Sequence, residues 1–162
     1  MRFILGETDS EVVFFLVLTQ LLRYGKLDSQ FALHDIAAAL ARALGNVREI
    51  CDPPGTLEPS LLTCILTDGA TMVAHQGGKE LNYSTYKTRC SDRNGCKSLS
   101  PACEAPTHDG FVNHLIFSSQ PLSGDNIWHP MSEGDVVGVD ARMRLYDSSV
   151  ERRSLLPLAL AL

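Results

Sequence analysis

The apolar run Val12-Val13-Phe14-Phe15-Leu16-Val17-Leu18 directly follows Thr8-Asp9-Ser10-Glu11, and together they constrain the fold more than any other stretch. Thr8 and Glu11 fit the T-x-x-E capping box. There the Thr8 hydroxyl accepts the Glu11 amide proton, and the Glu11 side chain reaches back to the Thr8 amide. The pattern predicts a helix from about Asp9 to Tyr24, stopped by Gly25 as the C′ residue. Val12, Phe15, Leu16, Thr19 and Leu22 line one face, while Val13, Phe14, Val17 and Leu21 fill much of the rest. A helix apolar nearly all round is buried on more than one side. This one needs cover from something besides a single sheet face.

The remaining chain supplies one more helix and then strands. Asp28 or Ser29 is expected to cap a second helix over roughly Phe31 to Leu44, ended by Gly45-Asn46. A short join between the two helices predicts an antiparallel pair. Cys51-Asp52-Pro53-Pro54-Gly55 reads as a loop. Leu61 to Thr67 and Thr71 to His75 flank Asp68-Gly69 and read as a β-hairpin. Further strands are expected at Leu81–Tyr86, Phe111–Ser119, Val136–Asp140 and Met143–Tyr146, the last two joined by a tight turn at Ala141-Arg142. Lys87 to Asp109 has no periodicity and reads as a long loop; such loops are usually functional or held by something other than a core. The order predicts an α+β fold, two helices followed by mostly antiparallel strands, with the helices segregated on one face of a sheet.

The chain has 162 residues, room for one ordinary domain. It divides into a domain over residues 1–150 and an apolar tail over 151–162. A net charge of −5 without a basic stripe argues against nucleic acid and anionic membrane as partners. No apolar run approaches the ~20 residues of a membrane helix. Gly6, Glu7 and Asp9 interrupt any signal-peptide core, so a cytoplasmic location is expected. Five cysteines, an odd number, do not suggest a secreted disulfide framework.

Four segments carry a resemblance. Gly6-Glu7-Thr8-Asp9-Ser10-Glu11 is similar to the turn that precedes a long helix in class II glutamine amidotransferases. These are N-terminal-nucleophile hydrolases that split ammonia from glutamine. Leu66-Thr67-Asp68-Gly69-Ala70-Thr71-Met72-Val73-Ala74 resembles their hairpin with a "TDG" turn. Leu115-Ile116-Phe117-Ser118-Ser119-Gln120-Pro121-Leu122 is similar to their "IASEPL" segment, and Ile127 to Val137 to the tryptophan-bearing segment after it. In this order and over most of the chain, they most resemble the stand-alone bacterial YafJ-like type. The resemblance implies part of an αββα sandwich, with this chain supplying one helical layer and parts of both sheets.

The resemblance also implies a chemistry. In that family the cysteine after the initiator methionine attacks the amide, with its own α-amino group as base. An arginine holds the glutamine carboxylate, and an Asn-Gly pair helps form the oxyanion hole. All precede the Gly6–Glu11 turn, whereas this sequence starts Met1-Arg2-Phe3 and its Asn94-Gly95 lies downstream. The expectation is that the chain matches the C-terminal portion of the domain and is inactive alone. Asp9, with Thr8 beside it, matches the position that pairs with the glutamine α-ammonium. Without the resemblance, Asp9 reads as a carboxylate favoured by the helix dipole. The parent would act on glutamine or a γ-glutamyl compound. The competing reading is a non-catalytic binding or structural module on the same scaffold. A homo-oligomer or a missing N-terminal segment would cover what the chain leaves exposed.

No required cofactor is expected. Cys90, Cys96 and Cys103 are spaced C-x5-C-x6-C, with His108 and His114 following. Three thiolates and an imidazole suit Zn²⁺, and an iron–sulfur cluster also uses thiolates. The alternatives are a disulfide between two of them, or free thiols. Ser10, Ser118 and Ser119 read as structural, since no G-x-S-x-G elbow is present.

Overall fold

A computed structural model describes residue 6 and residues 8–150. The Met1-Arg2-Phe3 start, Glu7 and the 151–162 tail lie outside the described residues.

Helix α1 spans Asp9–Leu21, with Thr8 as its N-cap in extended conformation. The helix stops three residues short of Tyr24. From there the chain tightens into i→i−3 bonds, Arg23 N–H to the Gln20 carbonyl and Tyr24 N–H to that of Leu21. Helix α2 spans Leu33–Cys51, so the expected boundaries are corrected at both ends. Its N-cap is Ala32, which makes no side-chain capping bond, rather than Asp28 or Ser29. Gly45 and Asn46 lie inside the helix. A glycine costs only about 1 kcal/mol relative to alanine in a helix interior. The buried stripe Ile36, Ala39, Leu40, Ala43 and Leu44 outweighs that cost, and Arg48, one turn on, pairs with Glu133.

The strands are β1 Cys64–Thr67, β2 Met72–His75, β3 Asn82–Ser84, β4 Ile116–Ser118, β5 His129–Pro130, β6 Val136–Val139 and β7 Leu145–Asp147. They form two antiparallel sheets, ordered β1-β2-β6-β7 and β4-β3-β5. In the hairpin, Thr67 pairs with Met72, so Asp68 to Thr71 form a four-residue connection. Gly69 takes φ 88° there, a left-handed conformation that suits glycine. Phe111, expected in a strand, makes only an isolated bridge to Arg144.

Alternation along the strands divides the core into two layers. Cys64, Leu66, Val73, Val136 and Tyr146 face α1 and α2, where Leu40 and Leu44 are each 1% exposed. Ala74, Val137 and Leu145 point the other way, against Leu81, Tyr83, Leu115, Phe117 and Met131 of the second sheet and its flanks. The order is helices, sheet, sheet. It matches the expected α+β fold, with helices on one face of the first sheet.

Helix α1 is less covered than its sequence demands. Val17 and Leu21 are buried, but Val12 and Phe14 are 47% and 45% exposed. Among the described residues, strand β1 lies at the edge of its sheet, and its Ile65 is 52% exposed. No helix among the described residues is long and apolar enough to cross a membrane.

Candidate functional site

The start of α1 holds the two residues singled out for substrate. Thr8 accepts the Glu11 amide on Oγ1 at 3.3 Å, the N-cap half of the box. The Glu11 carboxylate reaches back and accepts the Gly6 amide at 2.7 Å. Asp9 is exposed in the first turn, where the partial positive charge of the helix end favours a carboxylate. Its Oδ1 accepts the Ser10 amide at 2.7 Å and the Ser10 hydroxyl at 3.3 Å.

Behind Asp9 lies a cavity of about 270 Å³ between α1 and the segment Leu61–Leu66 that leads into β1. Val13, Phe14, Val17, Leu40 and Ile65 give it apolar walls. Asp9 is the single charged residue among the described residues that line it. The arrangement suits a ligand with a cationic end beside Asp9, because a carboxylate gives an ammonium a charge-assisted hydrogen bond. The Leu61–Leu66 wall was not foreseen from sequence as part of a site. Those residues carry no charge or recognisable site motif and come beside Asp9 through the packing of β1 beside α1. A larger cavity, about 610 Å³, opens between the start of α2 and the turns at 68–71 and 140–144; it contains none of the expected site residues.

The cysteine segment is held by polar contacts. Lys87 N–H donates to the Cys103 carbonyl at 2.8 Å, and Cys90 N–H to the Glu104 carboxylate at 2.7 Å. The same carboxylate pairs with Arg93 at 2.6 Å. Asn113 Nδ2 donates to Ser100 Oγ at 2.6 Å and to Cys103 Sγ at 2.9 Å. Hydrogen bonds from Ser100 and Asn113 hold the Cys103 thiol below its ordinary pKa. All five cysteines are free thiols. Among the described residues, no three His, Cys, Asp or Glu side chains are gathered to hold a metal ion. The structure therefore does not bring Cys90, Cys96 and Cys103 into one ligand set with a histidine.

The serines read as structural from sequence make local bonds. Ser118 Oγ donates to the Gln120 carbonyl at 2.5 Å, and Ser10 Oγ donates to Asp9.

No protein-family model matches this sequence, and no curated protein matches it. Solved structures do match its fold. One is a glutamine aminotransferase class-II domain protein from Silicibacter pomeroyi. It superposes with a TM-score of 0.54 at 23% identity, covering 88% of this chain and 51% of that one. Another is a predicted glutamine amidotransferase from Pseudomonas aeruginosa. It has a TM-score of 0.52 at 15% identity, covering 85% of this chain and 49% of that one. The chain thus spans about half the length of the solved structures it matches, and over that half it shares their fold.

Proposed function

We propose that this chain is the substrate-recognising half of a class II glutamine amidotransferase-type, N-terminal-nucleophile hydrolase of the YafJ-like kind, working in the cytoplasm. The observation that carries the reading is the position of Asp9, the one charged residue among the described lining of a mostly apolar cavity. Asp9 pairs with the α-ammonium of glutamine or of a γ-glutamyl compound. Thr8 acts by fixing the first turn of α1, which holds that carboxylate in place.

In this reading the nucleophile, its base and the oxyanion donors are supplied by a part of the parent outside this chain. In the full-length parent, a cysteine thiolate attacks the side-chain amide carbon. The tetrahedral intermediate collapses to a thioester as ammonia or an amine leaves with a proton. Water then cleaves the thioester, returning the thiol and glutamate. The half-length match to both solved structures and the exposed edge of β1 support this division.

The genomic sequence upstream of the Met1 codon tests the parent enzyme. The expected result is an open frame reaching a Met-Cys start roughly 100 residues earlier, the usual scale of a domain, with an Asn-Gly pair between. A stop codon just upstream contradicts it and leaves a binding module without catalysis.

A further inference from the structure

A further cavity, about 500 Å³, opens where β7 of the first sheet meets β3 and β5 of the second. The volume lies in the range of small-molecule sites. Its lining mixes aromatic rings with Thr85, Thr107, Pro106, Leu145 and Val150. The His129 ring lies 5.3 Å from that of Tyr83 and 5.7 Å from that of Tyr86, tilted by 32° and 45°. Tyr146 and His108 complete the aromatic lining.

Asp147 is the one carboxylate among the described lining residues, and no lysine or arginine is among them. Its Oδ2 accepts the Tyr83 hydroxyl at 2.9 Å and its Oδ1 the Ser149 amide at 2.8 Å. These two bonds fix the carboxylate, and each oxygen keeps a second lone pair for another donor. The Tyr83 bond also sets the ring plane of one wall.

Two features of this lining select the same kind of ligand. Aromatic faces carry the negative end of a quadrupole and attract cations within about 6 Å of the ring centre. A positioned carboxylate adds a full negative charge, and no fixed cation in the described lining opposes it. Anionic ligands meet repulsion from the carboxylate and the ring faces alike. Neutral apolar ligands gain only area. From the juxtaposition of Tyr83, Tyr86, His129 and Asp147 around one cavity, we infer a binding site for a small organic cation carrying an alkylammonium group. It is separate from the Asp9 cavity, which is lined by α1, α2 and the segment Leu61–Leu66 and shares no described lining residue with it.

The test uses choline and its neutral isostere 3,3-dimethyl-1-butanol, titrated against the wild-type chain at pH 8. Binding is read by calorimetry and by the NMR signals of the Tyr and His rings. Choline is expected to bind saturably, and the isostere at least about tenfold more weakly, the ratio set by cation–π and charge terms together. Asp147→Asn and Tyr86→Ala should each weaken choline by about tenfold, and Tyr86→Phe, which keeps the ring, by less than about threefold. Equal binding of choline and the isostere overturns the site, as does the absence of saturable shifts up to about 100 mM choline. The wild-type comparison decides the matter even if a variant fails to fold. It does not depend on glutamine binding at Asp9.

Discussion

The Tyr83 hydroxyl donates to Asp147 Oδ2 at 2.9 Å and so ties the second sheet to the outermost strand of the first. Elsewhere the two sheets meet through apolar contacts such as Val137 and Ala74 against Met131 and Leu81. A hydrogen bond to a charged acceptor contributes about 1.5–3 kcal/mol, less where water competes. The two side chains are only partly buried, so Tyr83→Phe should cost about 1 kcal/mol. Urea unfolding checks this, with a lower midpoint and an unchanged slope expected.

Gly138 and Gly69 test two different reasons for glycine. A Cβ at Gly138 would lie 2.5 Å from the Met72 carbonyl oxygen and 2.6 Å from Val73 Cγ1, inside the β2–β6 pairing. Backbone cannot yield as a side chain can, so Gly138→Ala should cost about 1–3 kcal/mol by overpacking. Gly69 has open space around it but φ 88°, so Gly69→Ala carries only the strain of a left-handed residue, about 1 kcal/mol. Thermal melts of the two variants should place Gly138→Ala below Gly69→Ala. The reverse order contradicts the packing described for β2 and β6.

A buried imidazole, His75, and a half-buried one, His114, set the acid sensitivity. Burial lowers the pKa of His75, which also contacts the Leu62 carbonyl at 3.2 Å, and the nearby Arg48 adds to the lowering. Burial and then Lys87 lower that of His114, whose Nε2 is buried without a partner among the described residues. The unfolded chain therefore takes up these protons first as pH falls. The contribution is fully present above the unfolded value of about 6.5 and is lost as pH drops through the folded values. The melting temperature should fall between pH 7.5 and pH 5, and His75→Gln and His114→Gln should flatten that fall. Asp68 and Asp109, both lowered mainly by backbone N–H groups, act in a separate window, below about pH 4.

The thiols should separate by exposure. Cys51 and Cys96 are exposed, whereas burial raises the pKa of Cys64 beneath the helices. Timed alkylation in native buffer, followed by mass spectrometry, should label Cys51 and Cys96 before Cys64 and the buried Cys103. Early labelling of Cys64 would mean that β1 is not packed against α1 and α2 as described.

Local signals were legible where a short stretch decides its own conformation. Asp68-Gly69 between two β-rich runs identified the β1–β2 hairpin, and Thr8 with Glu11 identified the start of α1. The boundaries of α2 were not legible, because Gly45 is a weak stop and only the buried stripe beneath it shows that the helix continues. Strand β5 has two residues and exists through its pairing with Asn82 and Tyr83, far away in sequence. The candidate site was half legible. Asp9 came from its position in a motif, but the Leu61–Leu66 wall and the aromatic cavity depend on strand order and sheet stacking. The cysteine spacing carried no information on where the thiols would lie, and side-chain bonds from Asn113 and Glu104 organise that segment.

Asp9 carries the central claim, and one titration tests it most directly. L-Glutamine and its analogue without the α-amino group, 4-carbamoylbutanoate, are each added to the isotope-labelled chain and to Asp9→Asn. L-Glutamine should shift the amides of Asp9, Ser10 and Val13 saturably, and the analogue should bind at least about tenfold more weakly. Asp9→Asn should lose the preference for the amino acid while keeping the spectrum of the folded chain. Equal binding of the two compounds to the wild-type chain, or an unchanged preference in Asp9→Asn, would contradict the account.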